Sequence, residues 1–261
     1  MKFKIALSFV LFIVSGFSQK LFSQSKKQSY YEIKVYHFEN DEHEQIIDEY
    51  LKDAYLPALR RKGIKNIGVF KPIGNDTLAD KRIYVLIPFK SAQDFVEMPE
   101  QLEKDQQFNL NGKPYLQAPY NKPPYTRMES ILLKAFSYMP AVAVPELKNS
   151  PKERVYELRS YEGYTEEIFK NKVEMFNEGG EVSLFKRLGF NAVFYGSVIS
   201  GSNMPNLMYM ATFEDMKSRD EHWKAFGNDP EWKKLSAMEK YKNNVSKIDV
   251  LLLRPTEYSG I

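Results

Sequence analysis

The chain has 261 residues, enough for one large domain or two of ordinary size, with 37 lysines and arginines against 34 aspartates and glutamates. Lys2, Lys4 and Lys20 lie in an N-terminal segment without acids, which leaves 34 residues of each sign and no long-range attraction to nucleic acid or anionic membrane. The sequence has no cysteine, which excludes disulfides and a lipid-modified cysteine.

Residues 1–24 are predicted to be a secretory signal peptide. Lys2 and Lys4 precede an apolar run from Ile5 to about Phe17, and small and polar residues follow it. The run is shorter than the roughly 20 apolar residues of a transmembrane helix, although an uncleaved anchor remains the alternative. We therefore expect an exported protein, periplasmic or secreted, with no stable membrane anchor after cleavage.

The remaining chain repeats itself. The sequence YEIKVY at 31–36 returns as YELRSY at 156–161, and two later pairs of segments also correspond: 56–70 with 182–196, and 82–95 with 206–219. Each copy is predicted to run strand, helix, strand, strand, helix, strand. In the second copy we expect strands at about 154–161, 190–198, 206–213 and 247–254, and helices at about 165–188 and 215–244. Asp229 and Pro230 are expected to interrupt the last helix.

This order is that of a ferredoxin-like unit, an α+β fold with both helices on one face of an antiparallel sheet. Two such sheets in one chain can cover each other's bare faces, so we expect two repeats that form a tandem α/β barrel. The predicted domains are 29–138 and 154–256. The proline-containing segment 139–153 is the predicted linker between them.

The second copy resembles the NIPSNAP family. The resemblance is carried by ERVYELRSYEGYTEE, GEVSLFKRLGF and RDEHWKAFGNDPEWKKL, most clearly at Tyr156, Leu158, Arg159, Tyr161, Trp223, Phe226, Asp229, Pro230 and Trp232. The first copy is similar but diverged, and it lacks both tryptophans. The resemblance implies ferredoxin-like domains of the dimeric α/β-barrel superfamily, which includes haem-degrading monooxygenases, cofactor-free oxygenases, isomerases and chlorite dismutases. It implies no settled reaction.

Strand alternation provides candidate site residues. One face of the two first strands is mostly apolar and is expected to pack on the helices: Tyr31, Ile33, Val35, Tyr156, Leu158 and Ser160. The other face is expected to point into the barrel: Glu32, Lys34, Tyr36, Glu157, Arg159 and Tyr161. Such groups, once desolvated, could bind an anion or move a proton, or they could simply neutralise each other across the sheet. Unpaired charges would favour chemistry, and paired charges would favour structure.

Other residues add less. Met208 and Met210 share a face of their strand and either contact a ligand or fill gaps. The three histidines have no metal-ligand spacing, so no metal site is predicted. The residues themselves indicate no cofactor, whereas the barrel relatives leave haem open, with His222 either a haem ligand or a helix-packing residue.

We interpret the protein as an exported NIPSNAP-family barrel that binds an unknown small molecule or serves as a scaffold. The alternative is an enzyme of the monooxygenase or isomerase type that acts in the lumen on a small apolar or aromatic anion. In that case Glu157, Arg159 and Tyr161 would supply acid-base and anion-holding groups. Whether it is an enzyme stays open, and a homo-oligomer formed through exposed sheet edges is also expected.

Overall fold

The computed structural model describes residues 27–261, so the predicted signal peptide lies outside the described residues. The first half of the described chain contains four strands, with helices after the first and third. Its elements are β1 (Tyr30–Phe38), α1 (Asp41–Glu49), a π-helical turn (Tyr50–Tyr55), α2 (Leu56–Arg61), β2 (Gly68–Pro72), β3 (Lys81–Phe89), α3 (Ala92–Glu103), α4 (Gln106–Asn111), α5 (Lys113–Leu116) and β4 (Arg127–Ala135). None of the helices between 27 and 261 is long and apolar enough to cross a membrane.

The second half repeats this order and contains all four predicted strands. Its elements are β5 (Val155–Glu162), α6 (Glu166–Phe176), α7 (Glu181–Arg187), β6 (Phe194–Ser200), β7 (Asn206–Phe213), α8 (Met216–Asn228), α9 (Pro230–Ser236) and β8 (Lys247–Pro255). The helix predicted at 165–188 is two helices, because the chain turns at Gly180, which has a φ of 93°. The interruption at Asp229 is confirmed: its side chain accepts hydrogen bonds from the Glu231 and Trp232 N–H groups and caps α9.

The eight strands form one closed antiparallel barrel in the order β1-β3-β2-β8-β5-β7-β6-β4. The predicted fold is therefore confirmed: the two halves meet where β2 pairs with β8 and where β4 pairs with β6. Every strand of the described chain has a neighbour on both sides. Exposed sheet edges are thus not the basis for a homo-oligomer, and oligomerisation stays a prediction.

Apolar side chains from all eight strands fill the barrel interior. Tyr31, Ile33 and Val35 belong to this cluster, as do their second-half counterparts Tyr156 and Leu158. The prediction that this face of the strands packs on the helices is wrong. The barrel is filled inside, and helices cover β1 and β5 outside, so both faces of these two strands are largely buried and alternation alone does not tell them apart.

The segment 139–153 contains no helix or strand and closes one end of the barrel. The Ala143 N–H donates to the Val193 carbonyl at 2.9 Å, while Val142 and Leu147 pack on the interior cluster. This is the end at which β1 and β5 begin. Because both halves share one barrel, the domain bounds 29–138 and 154–256 stay predictions.

Asp105 begins α4 and makes that helix sensitive to acid. Its carboxylate accepts two hydrogen bonds from Arg61, at 2.9 and 2.8 Å, and one from the Phe108 N–H, which hold its pKa at about 2. The unfolded value is about 3.9, so this stabilisation is present above that pH and is lost as the pH falls towards 2. We expect the Tm advantage of the wild type over Asp105→Asn, which keeps a capping side chain, to shrink between pH 5 and 2.5. A constant difference in a thermal unfolding series would contradict this.

Candidate ligand-binding site

The six polar strand residues predicted to line the lumen lie on the outer face of the barrel, beneath the helices. Tyr36 packs in the cluster formed with the helices of the first half, and Tyr161 in that of the second half. Glu32 and Lys34 line a cavity on the helix side. The prediction correctly brought together Glu157, Arg159 and Tyr161, and Glu32 with Lys34, but it placed all six residues on the wrong face.

In the second half the carboxylate of Glu157 is completely paired. It is fully buried and accepts hydrogen bonds from Arg159 Nε at 2.5 Å, Arg219 Nε at 2.6 Å and Trp223 Nε1 at 2.9 Å. The last two donors come from α8. These hydrogen bonds hold α8 against β5, and the Arg219 and Trp223 side chains fill the space above Glu157.

Arg159 is held equally firmly. Its guanidinium lies 3.8 Å from the centre of the Trp223 ring and donates to the Tyr161 hydroxyl, which is 2.9 Å from that of Tyr209. Burial alone would lower the pKa of Arg159, but the neighbouring phenols and Glu157 raise it overall, while burial raises the pKa of both tyrosines. Neither the guanidinium nor the phenols are poised to exchange protons, so this set favours structure.

The first half has an open cavity of about 530 Å³ at the corresponding place. It lies between the sheet, the π-helical turn and helices α3 and α4. Its lining is mostly apolar and aromatic, with a polar base: Glu32, Lys34, Tyr50, Tyr55, Phe89, Phe95, Val96, Met98, Pro99, Leu102, Glu103, Phe108, Leu116, Met128 and Ser130. Few polar groups at the base of an apolar cavity is the usual form of a small-molecule site.

The polar base is only partly paired. Ser130 Oγ donates to Glu32 Oε1 at 2.7 Å, and Lys34 Nζ lies 3.5 Å from the same oxygen. Lys34 Nζ also donates to the Tyr55 hydroxyl at 3.1 Å. Both contacts to Glu32 within the described chain fall on the same carboxylate oxygen, whereas those to Glu157 use both of its oxygens. A bound molecule can therefore reach both the ammonium and the carboxylate.

Two substitutions between the repeats explain the cavity. The correspondence of 82–95 with 206–219 places Phe95 where the second half has Arg219, and the same offset places Pro99 at Trp223. Phe95 and Pro99 cannot donate to Glu32, and both line the cavity instead. The first half thus keeps the strand charges and lacks the residues that would cover them.

Tyrosines that sequence reasoning missed form one wall. The Tyr50 and Tyr55 rings stack at 5.5 Å, and Tyr115 stacks on the other side of Tyr50 at 3.8 Å. Tyr50 and Tyr55 are five residues apart, a spacing that aligns them only in a π-helical turn, and such turns often occur at functional sites. Burial, followed by the charge of Glu32, raises the pKa of Tyr55, so its hydroxyl remains a hydrogen-bond donor.

The remaining candidates lie elsewhere. The ring of Tyr36 is buried against Tyr115 and Tyr125 and does not line the cavity. Met208 and Met210 share the barrel interior, which confirms that they face the same way. Met208 lines a second cavity at the open end of the barrel, whereas Met210 is more deeply buried. Their role as ligand contacts stays a prediction.

The haem hypothesis rests on His222, whose surroundings within residues 27–261 are those of a packed side chain. No cluster of three or more histidine, aspartate or glutamate side chains in this part of the chain could hold a metal ion. His222 is half-buried, with Nδ1 2.6 Å from the Ser218 carbonyl oxygen and its ring against Phe190 and Phe213. It is a helix-packing residue, and no histidine lines the helix-side cavity. His222 therefore does not fit the role of a haem ligand, and haem binding itself stays a prediction.

The model of the NIPSNAP family matches residues 156–260. No curated protein sequence matches the chain. A candidate monooxygenase from Lactobacillus acidophilus NCFM has a similar structure, with a TM-score of 0.57 and 14% identity over 87% of this chain and 94% of that chain. A candidate monooxygenase from Fusobacterium nucleatum gives a TM-score of 0.55 and 10% identity over 88% and 93%.

An anthrone oxidase-like protein is also similar, with a TM-score of 0.50 and 9% identity over 89% of this chain and 93% of that chain. At these identities the likeness shows a shared fold and nothing about chemistry. The family match starts at Tyr156, within β5, and continues past β8, so it contains all the strands and helices that follow β5. Residues 156–260 thus match the NIPSNAP family model, and the preceding internal repeat completes a single α/β barrel.

Proposed function

We propose that the protein binds a small molecule in the helix-side cavity of its first half. The observation that carries this proposal is the difference between the repeats: Glu157 and Arg159 are covered by α8, whereas Glu32 and Lys34 face a cavity of about 530 Å³. A charged pair of this kind next to apolar walls is costly unless something polar occupies the space. The leader sequence supports a periplasmic or secreted location.

The cavity fits an aromatic molecule that carries an anionic or phenolic oxygen. The Lys34 ammonium and the Tyr55 hydroxyl together provide donors for that oxygen. Phe95, Met98 and Phe108 provide apolar surface for the ring. Glu32 beside Lys34 would select a ligand that can also donate a hydrogen bond, such as a hydroxylated aromatic acid.

An enzymatic role is the second candidate, and the position of Glu32 favours it. Its carboxylate is 4% exposed and lies beside an ammonium, so it could remove a proton from bound substrate while Lys34 stabilises the resulting oxyanion. Return of the same proton from Glu32 to another carbon would make the reaction an isomerisation and needs no co-reactant. The acid-base and anion-holding roles that the sequence suggested for Glu157 and Arg159 are therefore assigned to their first-half counterparts, Glu32 and Lys34.

Methionine methyl NMR tests the binding proposal. Met98 and Met128 line the helix-side cavity and report on it, and 2-naphthoate and 6-hydroxy-2-naphthoate serve as probes. We expect saturable shifts of both methyl signals, with tighter binding of the hydroxylated probe. Lys34→Met should weaken binding about tenfold or more, because it removes a charged hydrogen bond worth about 1.5–3 kcal/mol.

The repeat itself provides a matched control. The double variant Phe95→Arg, Pro99→Trp rebuilds in α3 the residues that cover Glu157, so it should abolish probe binding while the protein remains folded. Glu100→Gln, an exposed substitution on the same helix, should leave binding unchanged. Absence of shifts at Met98 and Met128, or equal affinity in Lys34→Met, would reject the proposal.

A further inference from the structure

A second cavity, of about 360 Å³, lies at the open end of the barrel. It is separate from the helix-side cavity, because its apolar floor consists of side chains that face the barrel interior: Val35, Tyr84, Ile131, Leu158, Met208 and Leu251. Both halves contribute to it. The segment 139–153 covers the opposite end, so the cavity lies at the uncovered end of the barrel.

The rim of this cavity is acidic. Glu129 pairs with Val35 across β4 and β1, and Asp249 pairs with Ser160 across β8 and β5, so the repeat places one carboxylate at the same position in each half. Both line the cavity. Lys247 Nζ lies 2.7 Å from Asp249 Oδ2 and 3.4 Å from Glu162 Oε1. The positive charge of Lys247 is thus shared between two acids.

Arg82 is the cation among the lining residues, and it is already engaged. Its Nε donates to Asp80 at 2.8 Å, its Nη2 also contacts Asp80, and its Nη1 donates to the Tyr84 hydroxyl at 3.3 Å. His37 lies between Asp80 and Glu129, with ring nitrogens 2.8 and 2.9 Å from their carboxylates. A neutral imidazole can donate to only one of the two. The rim as a whole therefore favours a positively charged ligand.

Asn206 provides an independent indication of a hydrogen-bond donor. It lines the cavity, is 3% exposed, and donates from Nδ2 to Ser160 Oγ at 2.8 Å. Within residues 27–261 its Oδ1 finds no partner, and a buried polar atom left in this way costs about 1–3 kcal/mol. A ligand that carries N–H groups would satisfy it.

We propose that the open end of the barrel binds a small primary amine with a hydrocarbon body. The ammonium group lies at the rim, whose acceptors include Glu129, Asp249 and Asn206, and the hydrocarbon lies against Leu158 and Met208. A volume of about 360 Å³ is at the small end of the range for ligand cavities, which suits a short alkyl or phenylalkyl amine. This ligand is opposite in charge to the one proposed for the helix-side cavity.

Methionine methyl NMR separates the two sites. Titration with hexylamine or 2-phenylethylamine should produce a saturable shift of the Met208 methyl signal, assigned with Met208→Leu, and leave Met98 and Met128 unchanged. Heptanoate, with the same hexyl chain and the opposite charge, should not shift Met208. If the naphthoates did not shift the Met98 signal, the proposed function would fail, but a shift of Met208 by amines would still support this second site. The two cavities are followed by different methionines.

Variants test the rim. Glu129→Gln should weaken hexylamine binding about tenfold, and Glu129→Gln combined with Asp249→Asn should weaken it further. Glu100→Gln, which removes the same charge from the exposed face of α3, should have no effect. The proposal is overturned if Met208 does not shift, if heptanoate binds as tightly as hexylamine, or if Glu100→Gln acts as strongly as Glu129→Gln.

Discussion

Glu157→Gln is expected to lower the free energy of unfolding by about 3–5 kcal/mol. The substitution leaves the Arg159 guanidinium without a carboxylate and Arg219 with only the exposed carboxylate of Asp220, and it turns an amide NH2 towards donors. Both arginine side chains are less than one-fifth exposed, so water replaces the lost contacts poorly. Urea unfolding followed by fluorescence measures the effect, since both tryptophans of the chain, Trp223 and Trp232, lie in this half.

The corresponding change in the first half, Glu32→Gln, should lower the free energy of unfolding by only about 1 kcal/mol. Glu32 keeps its hydrogen bond from Ser130 as an amide and loses one attraction to Lys34 at 3.5 Å. The same substitution at equivalent positions thus compares a closed site with an open one. Equal losses in the two variants would show that the repeats do not differ in this way, and would remove the main argument for the helix-side cavity.

The repeat made the architecture predictable. YEIKVY and YELRSY fixed two equivalent first strands, and the two sheets needed each other to cover their bare faces, which the closed barrel confirms. The sequence also grouped Glu157, Arg159 and Tyr161 correctly. It could not assign them to a face of the strand. The barrel interior and the layer between sheet and helices both contain apolar and aromatic strand side chains, so the residue types do not distinguish the two faces.

The difference between the two halves was harder to predict from the same alignment. Phe95 and Pro99 can be read as the replacements of Arg219 and Trp223, but only the structure shows that those two residues both reach Glu157. Similarly, the tyrosines at 50 and 55 align through a π-helical turn, which a 3.6-residue period does not suggest. Pairings that depend on tertiary contacts leave little trace in one sequence.

A second large effect on stability is expected at Lys172, a cation buried between α6 and α7. Its Nζ lies 2.8 Å from Glu181 Oε2 and 4.7 Å from the centre of the Phe176 ring, and both charged residues are at most 5% exposed. Lys172→Met leaves the carboxylate without its cation and should lower the free energy of unfolding by about 3–5 kcal/mol.

The double variant Lys172→Met, Glu181→Leu should recover most of that loss, because two well-packed apolar side chains can replace a buried ion pair at little net cost. The repeat supports this expectation: Tyr55, which precedes 56–70, falls at Glu181, so the first half is built without a carboxylate there. Urea midpoints of the wild type, both single variants and the double variant form the cycle. Losses that simply add in the double variant would mean that the two charges stabilise the domain separately, through the Phe176 ring and the start of α7, rather than as a pair.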